Sequence, residues 1–293
     1  MPSDRSPDLL RWLGAIDPPE LAVIACQSRD VPTPPAGVVV VRLTGCVTAE
    51  SLGLPAQLLA SGVRRVEVLP CDQDADGHDR VLASWSRAIP ELTTIAEPPH
   101  RRPGRRRGSV YDLAGTAFAR RSAFGLRVPS PALDLDADAE ERGVSALRLL
   151  ADQGRAQLSP DDQPASAPVG ARLLADGCTA CGVCVRACPH DALELIADGD
   201  ALVLRHHAHL CRADTACVRL CPQQALSVGG SSGLVQLAQQ PEYDLARVST
   251  VACPRCGTRH PRGEGALCRP CAFRAEHAFG SVVPASPPSQ TGR

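Results

Sequence analysis

Between Cys178 and Pro222 the chain reads CTACGVCVRACPHDALELIADGDALVLRHHAHLCRADTACVRLCP. Cys178, Cys181, Cys184 and Cys188 form a C-x2-C-x2-C-x3-C run closed by Pro189. Soft thiolates at this spacing suit the iron corners of a cubane cluster: one tight loop caps three corners, and the fourth cysteine lies a helical turn further on. A second copy runs through Cys211, Cys217 and Cys221 to Pro222, with Asp214 standing where its second thiolate is expected. Two plainer readings compete. A disulfide framework belongs to an oxidising compartment and usually to a short secreted chain. A zinc loop needs four ligands, whereas seven cysteines occupy these two Cys-Pro-terminated runs. Iron–sulfur chemistry is the stronger reading.

Two further groups of cysteines invite metal chemistry. Cys253-Pro-Arg-Cys256 and Cys268-Arg-Pro-Cys271 are C-x2-C knuckles with eleven residues between them. Four thiolates so arranged fit one tetrahedral Zn2+ with no position left open, which makes the site structural rather than catalytic. Rubredoxin-type iron uses similar knuckles but a longer, aromatic-rich insertion. Cys26, Cys46 and Cys71 each fall just past a short apolar run, and are possible metal ligands or ordinary buried small residues.

Those apolar runs, Leu21–Ala25, Val38–Leu43 and Arg65–Leu69, carry the β-branched residues of buried parallel strands. Helical spacing appears at Pro7–Ile16, Ala49–Ala60 and Asp79–Ala88. Residues 1–97 are therefore expected to form a small parallel α/β domain. In such a sheet the carboxyl ends of the strands share one edge, where ligands bind, so the three thiols can converge. His78, in the acidic segment DQDADGHD, is a candidate fourth ligand beside Cys71, but it reads more readily as a solvated loop residue. Residues 98–170 read as a linker: PPHRRPGRRRGS is basic and rich in Pro and Gly, and SPDDQPASAPVG is a spacer. Val110–Phe124 and Gly143–Gln157 are short amphipathic pieces with helical potential within it. Ala192–Leu195 and Leu202–Leu204 flank a Gly-Asp turn and read as a hairpin. Gly229–Gly233 reads as a flexible hinge, Leu234–Gln239 as a short helix, and 281–293 as a disordered tail.

Over about 60 residues the cysteine runs and their hairpin resemble the two-cluster bacterial ferredoxin family. The resemblance implies a βαββαβ-type module over 171–229. It also implies a crossed ligand pattern, with cluster one on Cys178, Cys181, Cys184 and Cys221 as a [4Fe-4S] centre. Cluster two then falls to Cys188, Cys211, Asp214 and Cys217, as [4Fe-4S] or, with a carboxylate corner, [3Fe-4S]. Residues 1–97 resemble the hydrogenase iron–sulfur (delta) subunit family associated with methyl-viologen-reducing hydrogenase and heterodisulfide reductase. Its members place cysteines after successive strands and carry C-H-P-G-D-C-H after the third. Here Cys26, Cys46 in Leu43-Thr-Gly-Cys46 and Cys71 in Leu69-Pro-Cys71 match, but the second cysteine of that segment is missing. No stable iron is expected in this domain for that reason. With a zinc ribbon over 248–275, the fold class is multidomain, α/β plus α+β.

Composition narrows the chemistry. The 293 residues carry a formal net charge of −1, so no global field draws the chain to nucleic acid or to a membrane surface. The sequence contains no lysine, which excludes a P-loop lysine, a Schiff-base lysine and a lysine general base. It contains no G-x-G-x-x-G, so a dinucleotide site of the common type is unsupported. Eleven of the fourteen cysteines fall in metal-type spacings, and no signal sequence or membrane-length apolar run is present. The expectation is a cytoplasmic electron-transfer subunit with no substrate-converting site of its own. The family resemblance implies a redox partner protein of the hydrogenase, flavin or disulfide-reductase type. The alternative is an iron–sulfur redox sensor that contacts nucleic acid or protein through the zinc ribbon and the arginine strip. Nucleic acid is the less expected partner, because no aromatic platform accompanies the arginines.

Overall fold

A computed structural model describes residues 5–99, 107–114, 133–159 and 170–277. The first strand, β1 (Leu21–Ala25), is buried along its whole length, as its unbroken apolar run requires. It pairs in parallel with β2 (Val38–Arg42) on one side and β3 (Arg65–Leu69) on the other. With β4 (Thr93–Thr94) and β5 (Ser109–Asp112) they make a parallel sheet in the order β4-β3-β1-β2-β5. Helix α1 (Ser6–Gly14) lays Leu9, Leu10 and Leu13 on the core. The segment expected as one helix from Ala49 divides into a 3-10 turn at Val47–Ala49 and α2 (Gly53–Ala60).

Two expectations from the sequence change here. Val110 to Asp112 are strand rather than helix: Tyr111 turns inward against Trp12, with ring centroids 5.9 Å apart, while Val110 packs on the opposite face. That period-2 alternation lets the segment pair with the open edge of β2, which a helix cannot do. Residues 115–124 of the same expected helix lie outside the described residues. The glycine run from Gly229 is not a hinge, since residues 229–232 continue β9 (Leu226–Ser232), paired with β6 (Gly170–Ala175). The register slips between Arg172 and Leu173, and Gly230 adopts φ 150° there, a conformation open to glycine. A Cβ on Gly229 would lie 2.5 Å from Leu174 Cδ1, so a side chain there displaces the exposed Leu174 side chain.

Helix α4 (Ala139–Asp152) begins four residues before the expected start because Asp138 caps it, accepting from Glu141 N at 2.9 Å. It crosses α2 where two glycines meet: a Cβ on Gly143 would lie 3.1 Å from Gly53 Cα. Buried Arg142 donates to Gln57 Oε1 at 3.1 Å and to the Ala137 carbonyl. Leu147 and Leu150 of α4 share the main core with Leu234 and Leu237 of α7 (Leu234–Gln239).

The cysteine-rich half runs in the order β6, α5 (Val183–Ala187), β7 (Leu193–Asp198), β8 (Ala201–His207), α6 (Ala216–Arg219), β9. The hairpin β7–β8 is extended by β10 (Glu242–Ala252) and β11 (Arg259–Pro261) into an antiparallel sheet ordered β11-β10-β8-β7. Tyr243 ties this sheet to β6: its hydroxyl accepts from Leu173 N at 3.0 Å and donates to Leu173 O at 3.2 Å. Among the described residues, no helix is long and apolar enough to cross a membrane. The expected disordered tail, and Arg101, Arg102, Arg105 and Arg106 of the arginine strip, lie outside the described residues.

Candidate metal centres

The two cysteine loops repeat each other in backbone as well as in sequence. Ala180 and Gly182 adopt φ of 54° and 73°, and their counterparts Ala213 and Thr215 adopt 61° and 57°. After each Cys-Pro pair, Asp191 and Gln224 both take φ 51°. Left-handed residues at matched positions curl each loop so that its thiols face inward, and each loop then enters a short helix, α5 or α6. The same offset separates Cys178 from Cys211, Cys184 from Cys217 and Cys188 from Cys221. It places Asp214 opposite Cys181.

The loops also exchange their fourth cysteines. Cys178, Cys181, Cys184 and Cys221 line one recess, walled by Leu195, Leu204 and Leu226. Burial pushes the Cys184 thiol up to about 11, and the neighbouring Cys178 and Cys181 push it the same way. Cys178 is raised by burial, then by Cys181 and Cys221, while Cys217 is raised by burial, then by Cys211 and Cys188. Thiols crowded like this resist ionising beside one another until a cation is set among them. Backbone N–H groups are aimed at the sulfurs, from Ala180 to Cys178 (3.4 Å), Ala192 to Cys188 (3.4 Å) and Ala225 to Cys221 (3.3 Å). The donor set, the apolar walls and the N–H···S contacts fit a cubane cluster at the first recess. At the second position Asp214 pairs with His190, Nε2 to Oδ2 at 2.6 Å, with both side chains about half exposed.

Cys253, Cys256, Cys268 and Cys271 form a compact group whose sulfurs all lie within 4.8 Å of one another, Cys256 and Cys268 being 3.6 Å apart. The first knuckle turns through Gly257, φ 75°, with Gly257 N donating to Cys253 O at 2.8 Å. The second opens α8 (Arg269–Glu276), with Cys268 at its N-cap. Hydrogen bonding at Cys268, Arg255 and Cys256 lowers the Cys253 thiol to about 6, whereas burial raises Cys271 to about 12. The set suits a tetrahedral ion such as zinc.

The third group is one that sequence reasoning left incomplete. Cys26, Cys46 and Cys71 do converge, with Cys46 Sγ 3.9 Å from Cys26 Sγ and 3.8 Å from Cys71 Sγ. His78 is not a solvated loop residue. It is 2 % exposed, and its Nε2 lies 3.0 Å from Cys46 Sγ and 3.8 Å from Cys71 Sγ. The reason is that α3 (Ala75–Ala88) begins earlier than expected, capped by Asp74, which accepts from Gly77 N at 2.9 Å. His78 thereby joins the inward face of Val81, Leu82 and Trp85, a spacing visible in the sequence once the helix start is placed correctly. Burial raises the Cys26 thiol to about 11. Burial acts upward on Cys71 too, but hydrogen bonds from Gln73 N and Ser28 outweigh it and leave that thiol low.

Residues 173–194, which contain the first cysteine run, match the 4Fe-4S binding domain family. No curated protein matches the chain. The match supports an iron–sulfur, ferredoxin-type module that binds a 4Fe-4S cluster and serves electron transfer in general terms.

Proposed function

We propose that this chain is a two-cluster electron relay, a subunit of a larger hydrogenase- or heterodisulfide-reductase-like oxidoreductase. The observation that carries the reading is the exchange of cysteines between loops. Cys221 joins Cys178, Cys181 and Cys184 at one recess, while Cys188 neighbours Cys217 and Cys211 at the other. A single-cluster protein has no use for that crossing. The ligand sets follow: Cys178, Cys181, Cys184 and Cys221 for a [4Fe-4S] centre, and Cys188, Cys211 and Cys217 with Asp214 for a second, [4Fe-4S] or [3Fe-4S]. Such clusters supply one-electron transfer at a potential tuned by hydrogen bonds and burial.

The rest of the chain holds these groups and offers them to a partner. Gly182, Thr215 and the other left-handed residues fix the loops, and the N–H donors of Ala180, Ala192 and Ala225 stabilise thiolate charge. Exposed Leu174 and Val228 on the β6–β9 ribbon, and Leu220 beside Cys221, give apolar surface for docking a redox partner of the flavin, hydrogenase or disulfide-reductase type. The cysteines at 253, 256, 268 and 271 hold structural zinc in a ribbon appended to β10. A cytoplasmic location belongs to this reading, because thiolate ligands persist in a reducing compartment.

Anaerobic purification of the full chain, followed by iron and acid-labile sulfide analysis, tests the proposal. Two clusters predict seven to eight irons per chain, and Cys221→Ser is expected to remove the first cluster while sparing the second. One cluster only, or loss of both in that variant, would overturn the crossed arrangement.

A further inference from the structure

The carboxyl ends of the three central strands β3, β1 and β2 lie side by side, and each is followed closely by a cysteine. Gln27 N donates to Gly45 O at 2.9 Å, which draws the loop after β2 over the end of β1 and brings Cys46 toward Cys26. The fourth donor arrives from the first turn of α3 as His78. We propose that Cys26, Cys46, Cys71 and His78 form a mononuclear Cys3His zinc site at the ligand-binding edge of the parallel sheet.

The geometry selects one ion over a cluster. All four donor atoms lie within 4.8 Å of one another. Zinc–sulfur and zinc–nitrogen bonds at tetrahedral angles put sulfurs about 3.8 Å apart and sulfur about 3.6 Å from nitrogen. The Cys46–Cys71 and Cys26–Cys46 sulfur pairs stand at 3.8 and 3.9 Å, and the Cys71–His78 pair at 3.8 Å. The Cys46–His78 separation, 3.0 Å, is shorter than this, and it opens by roughly half an ångström around an ion. A two-iron cluster divides its ligands into pairs on different metals, with a diamond of iron and sulfide between them. Four donors this close leave no room for that diamond.

The surroundings are those of a thiolate site rather than a core of inert cysteines. Cys26, Cys71 and His78 are 1 %, 5 % and 2 % exposed, so three polarisable or titratable donors are withdrawn from water at one point. Val47 N donates to Cys26 Sγ at 3.3 Å, the same backbone-to-sulfur contact found at Cys178, Cys188 and Cys221. Arg29 spans the rim, donating to Ala96 O at 2.9 Å and pairing with Asp72 at 3.3 Å. With four protein donors and no open position the ion is structural. It clamps the Val47–Ala49 turn and the start of α3 to the sheet edge.

The test uses the full chain, purified anaerobically, with zinc, iron and sulfide measured on the same sample. Wild type is expected to hold two zinc ions, one here and one at Cys253–Cys271. Cys256→Ser lowers the count to one, and adding Cys71→Ser or His78→Ala lowers it to none, with iron and sulfide unchanged throughout. His78→Cys keeps the metal, which guards against variants that merely fail to fold. In the Cys256→Ser background, cobalt exchanged into the site should show thiolate charge-transfer absorption that rises on His78→Cys, as three sulfur ligands become four. Zinc that stays at one per chain in Cys256→Ser whatever is done to Cys71 and His78 would overturn the proposal. So would loss of iron and sulfide on Cys71→Ser, which marks a cluster. Rapid alkylation of Cys46 in the zinc-replete protein would also overturn it, because that marks a free Cys46–His78 pair. None of these outcomes bears on the clusters between Cys178 and Cys221, so the two proposals fail separately.

Discussion

Replacing Asp214 with Cys bears directly on whether the second cysteine run is a true counterpart of the first. Matched left-handed residues place Asp214 opposite Cys181, yet its carboxylate rests against His190 at 2.6 Å. With the two side chains 39 % and 49 % exposed, that pair is worth about 0.2–1 kcal/mol. Losing it shifts the unfolding midpoint by no more than a few degrees in a chain of this size. Any change at the metal therefore reflects ligation and not collapse. Carboxylate oxygen is harder than thiolate and holds a soft iron–sulfide corner less firmly. Mild oxidation of wild type is expected to release that iron, giving a three-iron electron-spin-resonance signal, while the four-thiolate cluster stays intact. Asp214→Cys completes the second run and is expected to suppress the signal and retain the iron. If wild type never gives the signal and the variant behaves identically, Asp214 is not at an iron corner and the superposition of the two runs fails.

Three further outcomes are expected. Cys256→Ser should unfold residues 250–275, seen as lost zinc and faster proteolysis there, while visible iron–sulfur absorption persists; bleaching of the clusters would mean the sites are not separate. Gly143→Val forces a side chain into Gly53 Cα and Leu234, and overpacking of this kind costs about 1–3 kcal/mol, readable as a lowered melting temperature. His206 is fully buried, and burial lowers its imidazole to about 4. Its folded value thus lies below the unfolded one, so it stays neutral when folded while the unfolded chain takes up a proton. Stability is intact above about pH 6.5 and falls on the order of 3 kcal/mol as pH drops toward 4. Melting curves across that range should flatten in His206→Gln, and an unchanged pH slope would show that another group is responsible.

Much of the candidate chemistry was legible because its signals are local. The spacing of Cys178, Cys181, Cys184 and Cys188 defines a loop that must curl, and Ala180 and Gly182 do curl it. Strands β1, β2 and β3 and helices α1 and α7 follow from short-range apolar patterns, and appear within a residue or two of their expected bounds. Where strand and hinge were misread, a partner elsewhere in the chain made the decision. Val110 and Tyr111 become strand because β2 presents an open edge, and the glycines after Val228 are ordered because β6 lies beside them. Gly143 looks like a weak point in a helix until Gly53 is set against it.

The cysteine groups show the same division at the sites themselves. Sequence alone picked out the candidate ligands in the two cysteine runs and the two knuckles, because those residues sit on single loops whose spacing is their geometry. It also determined that lysine-dependent catalysis is absent, which is a matter of composition. The family resemblance, not the spacing, implied that Cys221 joins Cys178, and the tertiary structure brings those two to one recess and sets His78 beside Cys26, Cys46 and Cys71. Those four donors come from three strand ends well separated in the chain and from the first turn of a helix, seven residues after Cys71. Parallel pairing, expected from the unbroken apolar runs, brings the strand ends to one edge. One capping hydrogen bond from Asp74 starts α3 early enough to turn the histidine inward.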